Sequence, residues 1–312
     1  MDFLFAGNMS SIFAENLSKS YGKIKAVEGI SLSVEKAEIF GLIGADGAGK
    51  TTLFRILTTL LIPDRGVARI EGLDVLKDYK KIRRIAGYMP GRFSLYQDLS
   101  VEENLQFYAS IFNTGIEENY HLIRDIYQQI APFKKRLAGN LSGGMKQKLA
   151  LSCALIHSPE VLFLDEPTTG VDAVSRMEFW EMLKELQKKN ITILVSTPYM
   201  DEAKLCDRVA LMQKGKLLNV DTPENIIESY DKPLRAVTSD DMFKLPSDLE
   251  NFEGSARVFR FGDSIHLTLK TDDISEKNIA AFLSEKGHDN IRIEKIKPGI
   301  EDCFMAEMIE EG

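Results

Sequence analysis

A glycine-rich stretch lies between an apolar strand and a helical run in the first part of the chain. It spans Gly44–Thr51 and fits the pattern G-x-x-x-x-G-K-[ST] at every required position. The strand predicted before it is Ile39–Ile43, and the helix predicted after it is Leu53–Leu61. Glycines leave room for main-chain amides to approach an anion, and the helix N-terminus adds its dipole. The sequence therefore predicts a phosphate site on an α/β fold with a largely parallel core sheet.

The residues of this loop have distinct expected roles toward a nucleotide. Lys50 would neutralise the β- and γ-phosphate oxygens, and the Thr51 hydroxyl would bind Mg²⁺. Main-chain amides from Asp46 to Thr52 would converge on the phosphates. The predicted nucleotide-binding residues of the loop are Gly44, Ala45, Asp46, Gly47, Ala48, Gly49, Lys50, Thr51 and Thr52.

An acidic pair follows a short apolar strand later in the chain. The strand Val161–Leu164 is of the kind buried in a parallel sheet, and Asp165 and Glu166 come directly after it. In a phosphate-loop protein, Asp165 is expected to hold Mg²⁺ through a water molecule. Glu166 is expected to polarise the attacking water, so it is the predicted catalytic residue.

Charge and pattern divide the chain into two predicted domains, residues 1–230 and residues 231–312. The first part holds 29 acidic and 28 basic side chains, whereas the second holds 18 acidic and 11 basic ones. The second part begins with a hairpin signal, Arg257–Phe261 with Ser264–Lys270. A helix over Ile274–Lys286, a further strand and a last helix follow it. This order predicts a small α+β domain.

Composition excludes several classes of protein. The net charge of −8 argues against nucleic acid as the main partner, because phosphate-backbone binding needs a basic face. The longest apolar stretches fall far short of the roughly 20 residues that a bilayer needs. We see no signal peptide, and so expect a cytoplasmic protein. The three cysteines, Cys153, Cys206 and Cys303, are too few and scattered for a disulfide framework or zinc site, and we expect buried, inert thiols.

The segment Leu141–Gln147, with the sequence LSGGMKQ, is similar to the signature motif of ATP-binding cassette (ABC) ATPases. The chain order also matches: phosphate loop, signature, acidic strand end, then Gly170–Asp172 and Ser196–Thr197. Residues 10–230 thus resemble the nucleotide-binding domain of an ABC transporter. The resemblance implies a P-loop NTPase fold of the ABC type with a helical subdomain, and an ATPase that uses ATP and Mg²⁺.

The resemblance also implies roles for residues outside the phosphate loop. Ser142, Gly143 and Gly144 would bind the γ-phosphate of ATP held by another chain, because ABC ATPases pair head to tail. Ser142 would also be the N-cap of the helix that follows it. Tyr21 stands where the family places an aromatic ring that stacks on adenine. Asp172 resembles the family's aspartate that links the two sites across the dimer.

The C-terminal part resembles the appended domain of ATPases that serve ABC-2-type exporters. The similarity rests on Lys297–Phe304, and the phrases Gly87–Pro90 and Tyr199–Ala203 match the same subgroup. It implies export, a separate ABC-2-type transmembrane permease as partner, and a peripheral location on the cytoplasmic face of the cell membrane. The transported substrate would contact that permease and is not encoded in this chain.

Two positions depart from the family pattern. The glutamine that normally follows Met89-Pro90 is Gly91 here. In the family, this glutamine touches Mg²⁺ and the attacking water and couples to the membrane subunit. The histidine that normally follows Ser-Thr and contacts the γ-phosphate is Pro198, which has neither a titratable ring nor a donor. We therefore expect Mg-ATP binding with weak hydrolysis in this chain's own site. An asymmetric pair with a second ABC ATPase is the favoured arrangement, and a slow homodimer is the alternative.

Other ABC classes fit the sequence less well. ABC proteins of translation resemble two cassettes joined by a charged linker, and this chain has one. Chromosome and repair ATPases insert long coiled coils between loop and signature, whereas 91 residues separate Gly49 from Leu141 here. A catalytically weak regulatory or non-transport ABC protein stays open because of Gly91 and Pro198.

Overall fold

The computed structural model describes residues 10–310, and the chain divides into two compact units. One unit extends to Pro223 and the other begins at Glu224. Residues 1–9 and 311–312, which the predicted domain ranges include, lie outside the described residues. Within residues 10–310, no helix is both long enough and apolar enough to cross a bilayer.

The first unit contains ten strands and six helices between residues 10 and 223. The strands are β1 (Ile12–Tyr21), β2 (Ile24–Val34), β3 (Ile39–Ile43), β4 (Arg65–Ile70), β5 (Leu73–Asp74), β6 (Ala86–Met89), β7 (Val161–Asp165), β8 (Thr192–Thr197), β9 (Arg208–Gln213) and β10 (Lys216–Asp221). The helices are α1 (Lys50–Leu57), α2 (Tyr79–Ile85), α3 (Val101–Ile111), α4 (Tyr120–Ile130), α5 (Gly143–Leu155) and α6 (Ala173–Lys188). Short 3₁₀ helices lie at Ala131–Phe133, Ala138–Asn140 and Met200–Leu205, and α7 (Pro223–Glu228) lies at the division between the units.

A six-stranded sheet forms the centre of this unit, in the order β10-β9-β3-β8-β7-β6. Its strands are parallel except for the β9–β10 pair. All residues of β3, β7 and β8 are buried, which explains why these segments are apolar or small except for Asp165 at the end of β7. The expectation of a parallel core sheet is confirmed.

Helix α1 lies between this sheet and a second, antiparallel sheet of order β2-β1-β4-β5. One buried cluster contains the α1 residues Leu53 and Phe54, Ile12 of the antiparallel sheet and Phe163 of the parallel sheet. The rings of Phe54 and Phe163 meet edge to face, with centroids 6.2 Å apart. Packing on both sides fixes α1, and its N-terminus carries the phosphate loop.

The segment between β6 and β7 is mainly helical and contains α3, α4 and α5. Helix α3 begins with a capping box: Ser100 accepts from the amide of Glu103, and the Glu103 side chain accepts from the amide of Ser100. Helix α4 buries the apolar stripe of Leu122, Ile123 and Ile126. This region corresponds to the helical subdomain that the family resemblance implied.

The second unit has a four-stranded antiparallel sheet of order β12-β13-β11-β14. Its elements are β11 (Leu234–Thr238), α8 (Leu245–Glu250), β12 (Ser255–Phe261), β13 (Ser264–Leu269), α9 (Glu276–Glu285), β14 (Arg292–Lys295) and α10 (Ile300–Glu310). The order β-α-β-β-α-β with this strand arrangement is the ferredoxin-like topology, to which α10 is added. The predicted hairpin is confirmed, since Phe261 pairs with Ser264.

The prediction for the second unit missed two elements. Strand β11 is central in the sheet, between β13 and β14, and α8 follows it along the chain. The strand carries the buried residue Arg235, which is 6% exposed, so its sequence does not show the apolar alternation typical of a strand.

The bounds predicted for the first-unit helix α1 were wrong: it begins at Lys50 and ends at Leu57, before Pro63. Thr59 has a positive φ of 63° after its end, which the sequence pattern did not reveal.

Candidate active site

Four parallel strands end at one edge of the six-stranded sheet, and each leads into a loop with predicted site residues. The register pairs Ile43 of β3 with Thr197 of β8, and Asp165 of β7 with Ser196 of β8. It also pairs Met89 of β6 with Leu164 of β7. The ends of neighbouring parallel strands lie together at such an edge, where α/β proteins bind ligands. The structure therefore brings the phosphate loop, the acidic pair and both departing positions to one place.

The phosphate loop requires glycine at two positions where the main chain passes other main-chain atoms. A Cβ atom on Gly44 would lie 2.3 Å from the carbonyl oxygen of Met212. One on Gly49 would lie 2.1 Å from the carbonyl oxygen of Ala26, and Gly49 has a φ of 109°. Only glycine adopts this conformation without strain. Both residues close the loop tightly under the N-terminus of α1.

The first amides of α1 are available to an anion. Leu53 N donates to Gly49 O at 3.1 Å. For the amides of Lys50, Thr51 and Thr52, no main-chain acceptor is found in the described part of the chain. Unpaired amides at a helix N-terminus, aligned with the helix dipole, are a phosphate-binding arrangement.

Lys50 is the central cation of the site and is buried to 3% exposure. Its ammonium donates to the carbonyl oxygens of Gly44 at 2.7 Å and Ala45 at 3.1 Å. It also lies 3.0 Å from Oε1 of Glu166. An ammonium has three donors, so these three protein oxygens use all of them. A phosphate oxygen that binds Lys50 must therefore replace one of these contacts.

The acidic pair is held by Ser196, a residue whose role the sequence analysis missed. The Ser196 hydroxyl donates to Oδ1 of Asp165 at 2.7 Å and accepts from the amide of Glu166 at 3.0 Å. Glu166 has a positive φ of 51°, which turns its side chain out of the strand direction. Burial and the charge of Asp165 raise the pKa of Tyr88 to about 12. The only sequence signal for Ser196 is its position beside Thr197 at the end of a buried strand.

Thr51 and Asp165 fit a magnesium ion by the chemistry of their oxygens. Among residues 10–310 there is no group of three or more His, Cys, Asp or Glu side chains that could hold a metal. Mg²⁺ does not need such a cage, because it uses one or two protein oxygens together with water and substrate phosphates. One hydroxyl and one buried carboxylate beside the phosphate loop match that requirement.

Gly91 lies against the acidic pair, and Pro198 is two residues after Ser196, which binds that pair. A Cβ atom on Gly91 would lie 2.9 Å from the carbonyl oxygen of Asp165 and 3.7 Å from Cβ of Glu166. Pro198 follows Thr197, whose hydroxyl accepts from the amide of Tyr199 at 3.0 Å. Neither Gly91 nor Pro198 therefore supplies a side-chain donor near Glu166, the predicted catalytic carboxylate.

A cavity of about 460 Å³ extends from the phosphate loop toward Tyr21. Tyr21 ends β1, pairs with Ile24 across a hairpin turn, and is 46% exposed. Lys25 and Lys214 also line this cavity, together with Glu166, and the sequence analysis had not selected either lysine. A half-exposed aromatic ring beside cationic side chains and a phosphate loop suits a nucleotide.

The signature residues lie apart from this cavity, which none of Ser142, Gly143 and Gly144 lines. Ser142 is the N-cap of α5 and accepts from the amide of Met145 at 3.4 Å. A Cβ atom on Gly144 would lie 2.8 Å from Oγ of Ser175. Asp172 is the N-cap of α6, and the amide of Ser175, 3.0 Å away, lowers the pKa of Asp172.

The three cysteines are all buried and unpaired. Burial raises the pKa of each thiol, to about 12 for Cys303. A thiol with a raised pKa is a poor nucleophile and metal ligand. The prediction of buried cysteines is confirmed.

The sequence is similar to those of known ABC transporter ATP-binding proteins. A family model described as ABC transporter matches residues 27–169. The daunorubicin resistance ATP-binding protein DrrA2 of Streptomyces coeruleorubidus is 30% identical over 306 residues, 95% of this chain and 94% of that protein. The probable multidrug ABC transporter ATP-binding protein YbhF of Escherichia coli is 40% identical over 217 residues. That match covers 69% of this chain but only 38% of YbhF.

Solved structures show the same fold. The structure of cbiO1 from Clostridium perfringens, part of the ABC transporter complex cbiONQ, is 26% identical and has a TM-score of 0.63. The similarity covers 71% of this chain and 92% of cbiO1. This share corresponds to the first unit in size.

Proposed function

Since this chain belongs to the family of ABC transporter ATP-binding proteins, we propose that it is the ATPase subunit of an ABC-2-type exporter. The family resemblance and the P-loop NTPase fold expected from the sequence are confirmed, and the chain is an ABC ATPase that binds ATP. The convergence of four strand ends on Lys50 and Glu166 is the observation that most directly supports the proposal. The resistance function in the name of DrrA2 and the similarity at Lys297–Phe304 favour export.

The proposed chemistry assigns one task to each group of the site. Amides of the phosphate loop and Lys50 bind the phosphates and neutralise their charge, which supplies most of the catalysis of phosphoryl transfer. Thr51 and Asp165 would hold Mg²⁺, which would neutralise charge on the phosphates. Glu166 takes the proton of the attacking water. Tyr21 stacks on the adenine ring.

We propose that hydrolysis in this chain's own site is slow. Gly91 offers no side chain beside Asp165, and Pro198 offers neither an N–H nor an imidazole ring. The amide of Tyr199 is already used by Thr197. The site thus lacks the two side chains, glutamine and histidine, that would orient the attacking water and the γ-phosphate.

The exposed N-terminus of α5 supports the proposed head-to-tail dimer. Ser142 and Gly143 are exposed and do not line the cavity at this chain's own phosphate loop, so they are accessible to a partner's ATP. A partner ATPase with its own glutamine and histidine would then supply the strong site. We favour this heterodimer over a slow homodimer, and a catalytically weak regulatory ABC protein is the second candidate because of Gly91 and Pro198.

An apolar groove of about 360 Å³ adjoins the loop after β6 and is the proposed docking place for a cytoplasmic segment of the permease. In the family that this chain resembles, the residue that opens this loop couples to the membrane subunit. Apolar and aromatic side chains line the groove on both sides: Met89, Pro90, Phe93, Leu95, Tyr108, Ile111 and Phe112. The proposed location of the chain is accordingly the cytoplasmic face of the membrane.

The nucleotide site is tested by replacing its cation. Lys50→Ala should weaken Mg-ATP binding by about 30-fold or more, because truncating one side of a buried charge pair costs about 2–5 kcal/mol. Lys36→Ala is the matched control, since Lys36 is exposed and pairs only with Glu71 in the described structure. Calorimetry with millimolar Mg²⁺ measures both. Equal affinity in Lys50→Ala and the parent would refute the site.

We also propose that the chain consists of an ABC ATPase domain and an accessory domain, which the sequence placed at residues 1–230 and 231–312. The two compact units support this division, with the cut best made after Pro223. Tyr230 belongs to the second unit, where its hydroxyl lies 2.7 Å from Oγ1 of Thr268. A chain ending at Pro223 should bind ATP with the affinity of the parent. Loss of binding in a truncated chain that is still folded would contradict the proposal.

A further inference from the structure

Glu202 is a buried carboxylate next to the corner of the site that contains Pro198. It lies in the 3₁₀ helix Met200–Leu205 and is 3% exposed. One of its oxygens, Oε2, accepts from Oγ1 of Thr197 at 2.6 Å and from Oγ1 of Thr168 at 3.1 Å. Both threonines are buried as well. Glu202 lies within the phrase Tyr199–Ala203, and the family resemblance gave it no role of its own.

The two threonines belong to different loops of the active site. Thr168 lies two residues after Glu166, and Thr197 directly precedes Pro198. One carboxylate oxygen of Glu202 therefore connects the loop that carries Glu166, the proposed base, with the loop that carries Pro198. Thr197 also accepts from Tyr199 N, which fixes the turn around Pro198.

Among the described residues, the one cation paired with Glu202 is Arg176 on α6. Its guanidinium lies 3.9 Å from Oε1 of Glu202, 3.3 Å from Asp201 and over the ring of Tyr199. Within residues 10–310, Oε1 of Glu202 has no hydrogen-bond partner. A buried carboxylate costs free energy unless it is hydrogen-bonded and paired. Glu202 joins two loops by accepting hydrogen bonds from Thr168 and Thr197, and an apolar side chain could not accept them.

We propose that Glu202 is a positioning residue for ATP hydrolysis. It holds the loop of Glu166 and the loop of Pro198 at a constant separation, so that the base and the γ-phosphate side of the site keep their alignment. The proposal rests on the ATPase function proposed above. It assigns Glu202 no contact with ATP, so ATP affinity is expected to be independent of it.

The threonines allow a test that changes no charge and little volume. Thr168→Val and Thr197→Val each remove one hydroxyl donor, and Thr169→Val, at the exposed next position, is the matched control. Glu202→Gln keeps an acceptor oxygen for both hydroxyls, whereas Glu202→Ala removes it. The measurements are the single-turnover hydrolysis rate of bound ATP and the Kd for Mg-ATP.

We expect Thr168→Val, Thr197→Val and Glu202→Ala to lower the hydrolysis rate by about 10- to 100-fold, because small misplacements of reacting groups have effects of this size. The Kd should stay within about threefold of the parent, and Glu202→Gln should restore most of the rate. Unchanged rates in Thr168→Val and Thr197→Val would overturn the proposal. A loss of ATP binding in step with the rate would overturn it too, since it would indicate general damage.

Hydrogen exchange separates a failure of this proposal from a failure of the proposed function. Thr168→Val should speed amide exchange in residues 198–202 as well as in residues 168–172, because the connection between the loops is broken. Thr169→Val should change neither segment. If only residues 168–172 respond, Glu202 does not couple the loops, whatever the ATPase rate proves to be.

Discussion

The ammonium of Lys50 lies 3.0 Å from the carboxylate of Glu166. The cation proposed to bind phosphate and the base proposed to activate water thus form one ion pair. Glu166 is the more accessible partner, with a side chain 23% exposed against 3% for Lys50. Phosphate and Glu166 compete for the same donor, so ATP binding is expected to release the carboxylate toward the attacking water.

This competition predicts that Glu166→Gln binds ATP more tightly than the parent. The neutral side chain no longer pairs with Lys50, and a partly exposed ion pair contributes about 0.2–1 kcal/mol, which corresponds to a Kd lower by up to about fivefold. Hydrolysis should fall at the same time because the base is lost. Calorimetry and a phosphate-release assay measure the two effects. Glu178→Gln, which breaks a partly exposed pair with Lys148, should change neither, and weaker ATP binding in Glu166→Gln would argue against the competition.

The two departing positions should respond differently to restoration. Pro198→His adds a donor toward the γ-phosphate and should raise the hydrolysis rate of the isolated protein by about tenfold or more. Gly91→Gln should raise the rate only in combination with Pro198→His, and should lower the melting temperature, because its Cβ would lie 2.9 Å from a main-chain oxygen.

Gly91→Ala is the control for this steric effect, since it adds the Cβ without the amide. It should destabilise the protein as Gly91→Gln does and leave the rate low. Rapid hydrolysis by the unmodified protein alone would mean that the loss is tolerated, and the asymmetric pair would have to be abandoned.

In the assembled transporter, Ser142→Arg should reduce ATPase activity far more than Glu166→Gln. The first change places a bulky cation in the exposed signature that completes the partner's strong site, while the second affects only this chain's weak site. Ser142→Ala separates the effect of bulk and charge from the loss of the hydroxyl, because it removes the acceptor of the Met145 amide, worth about 1 kcal/mol of stability, without adding a larger side chain. Equal and severe losses from Ser142→Arg and Glu166→Gln would show two equivalent sites.

His157 should make stability depend on pH in the acidic range. Its ring stacks on Phe112 with centroids 3.8 Å apart, and burial lowers the pKa of His157 to about 4. The ordinary pKa of histidine is about 6.5, so the unfolded chain binds the extra proton first as the pH falls. The contribution of the neutral ring is therefore complete above about pH 6.5 and decreases toward pH 4.

Urea unfolding at pH 7.5 and at pH 5 measures this effect. The loss of stability between the two pH values should be smaller in His157→Phe than in the parent. His121→Phe, at an exposed position, should lose as much as the parent. The same loss in His157→Phe and the parent would mean that another group titrates.

The sequence by itself determined the features that depend on neighbours along the chain. The phosphate loop, the helix that starts after Ser142 and the hairpin at Phe261 and Ser264 are local, because their glycines, caps and turns act over a few residues. The buried strands β7 and β8 were also predictable, since continuous apolar runs of that length fit a parallel sheet.

Only the tertiary structure decided which distant groups meet. The pairs Lys50–Glu166, Asp165–Ser196 and Thr168–Glu202 join residues that lie far apart in the chain, and strand β11 became central only through pairing with β13 and β14. No local preference encodes such contacts, because they form when sheet register and packing bring strand ends together against the entropy of the chain. The motifs thus identified the chemistry, and the fold decided how Glu166 is held and what stands around Pro198.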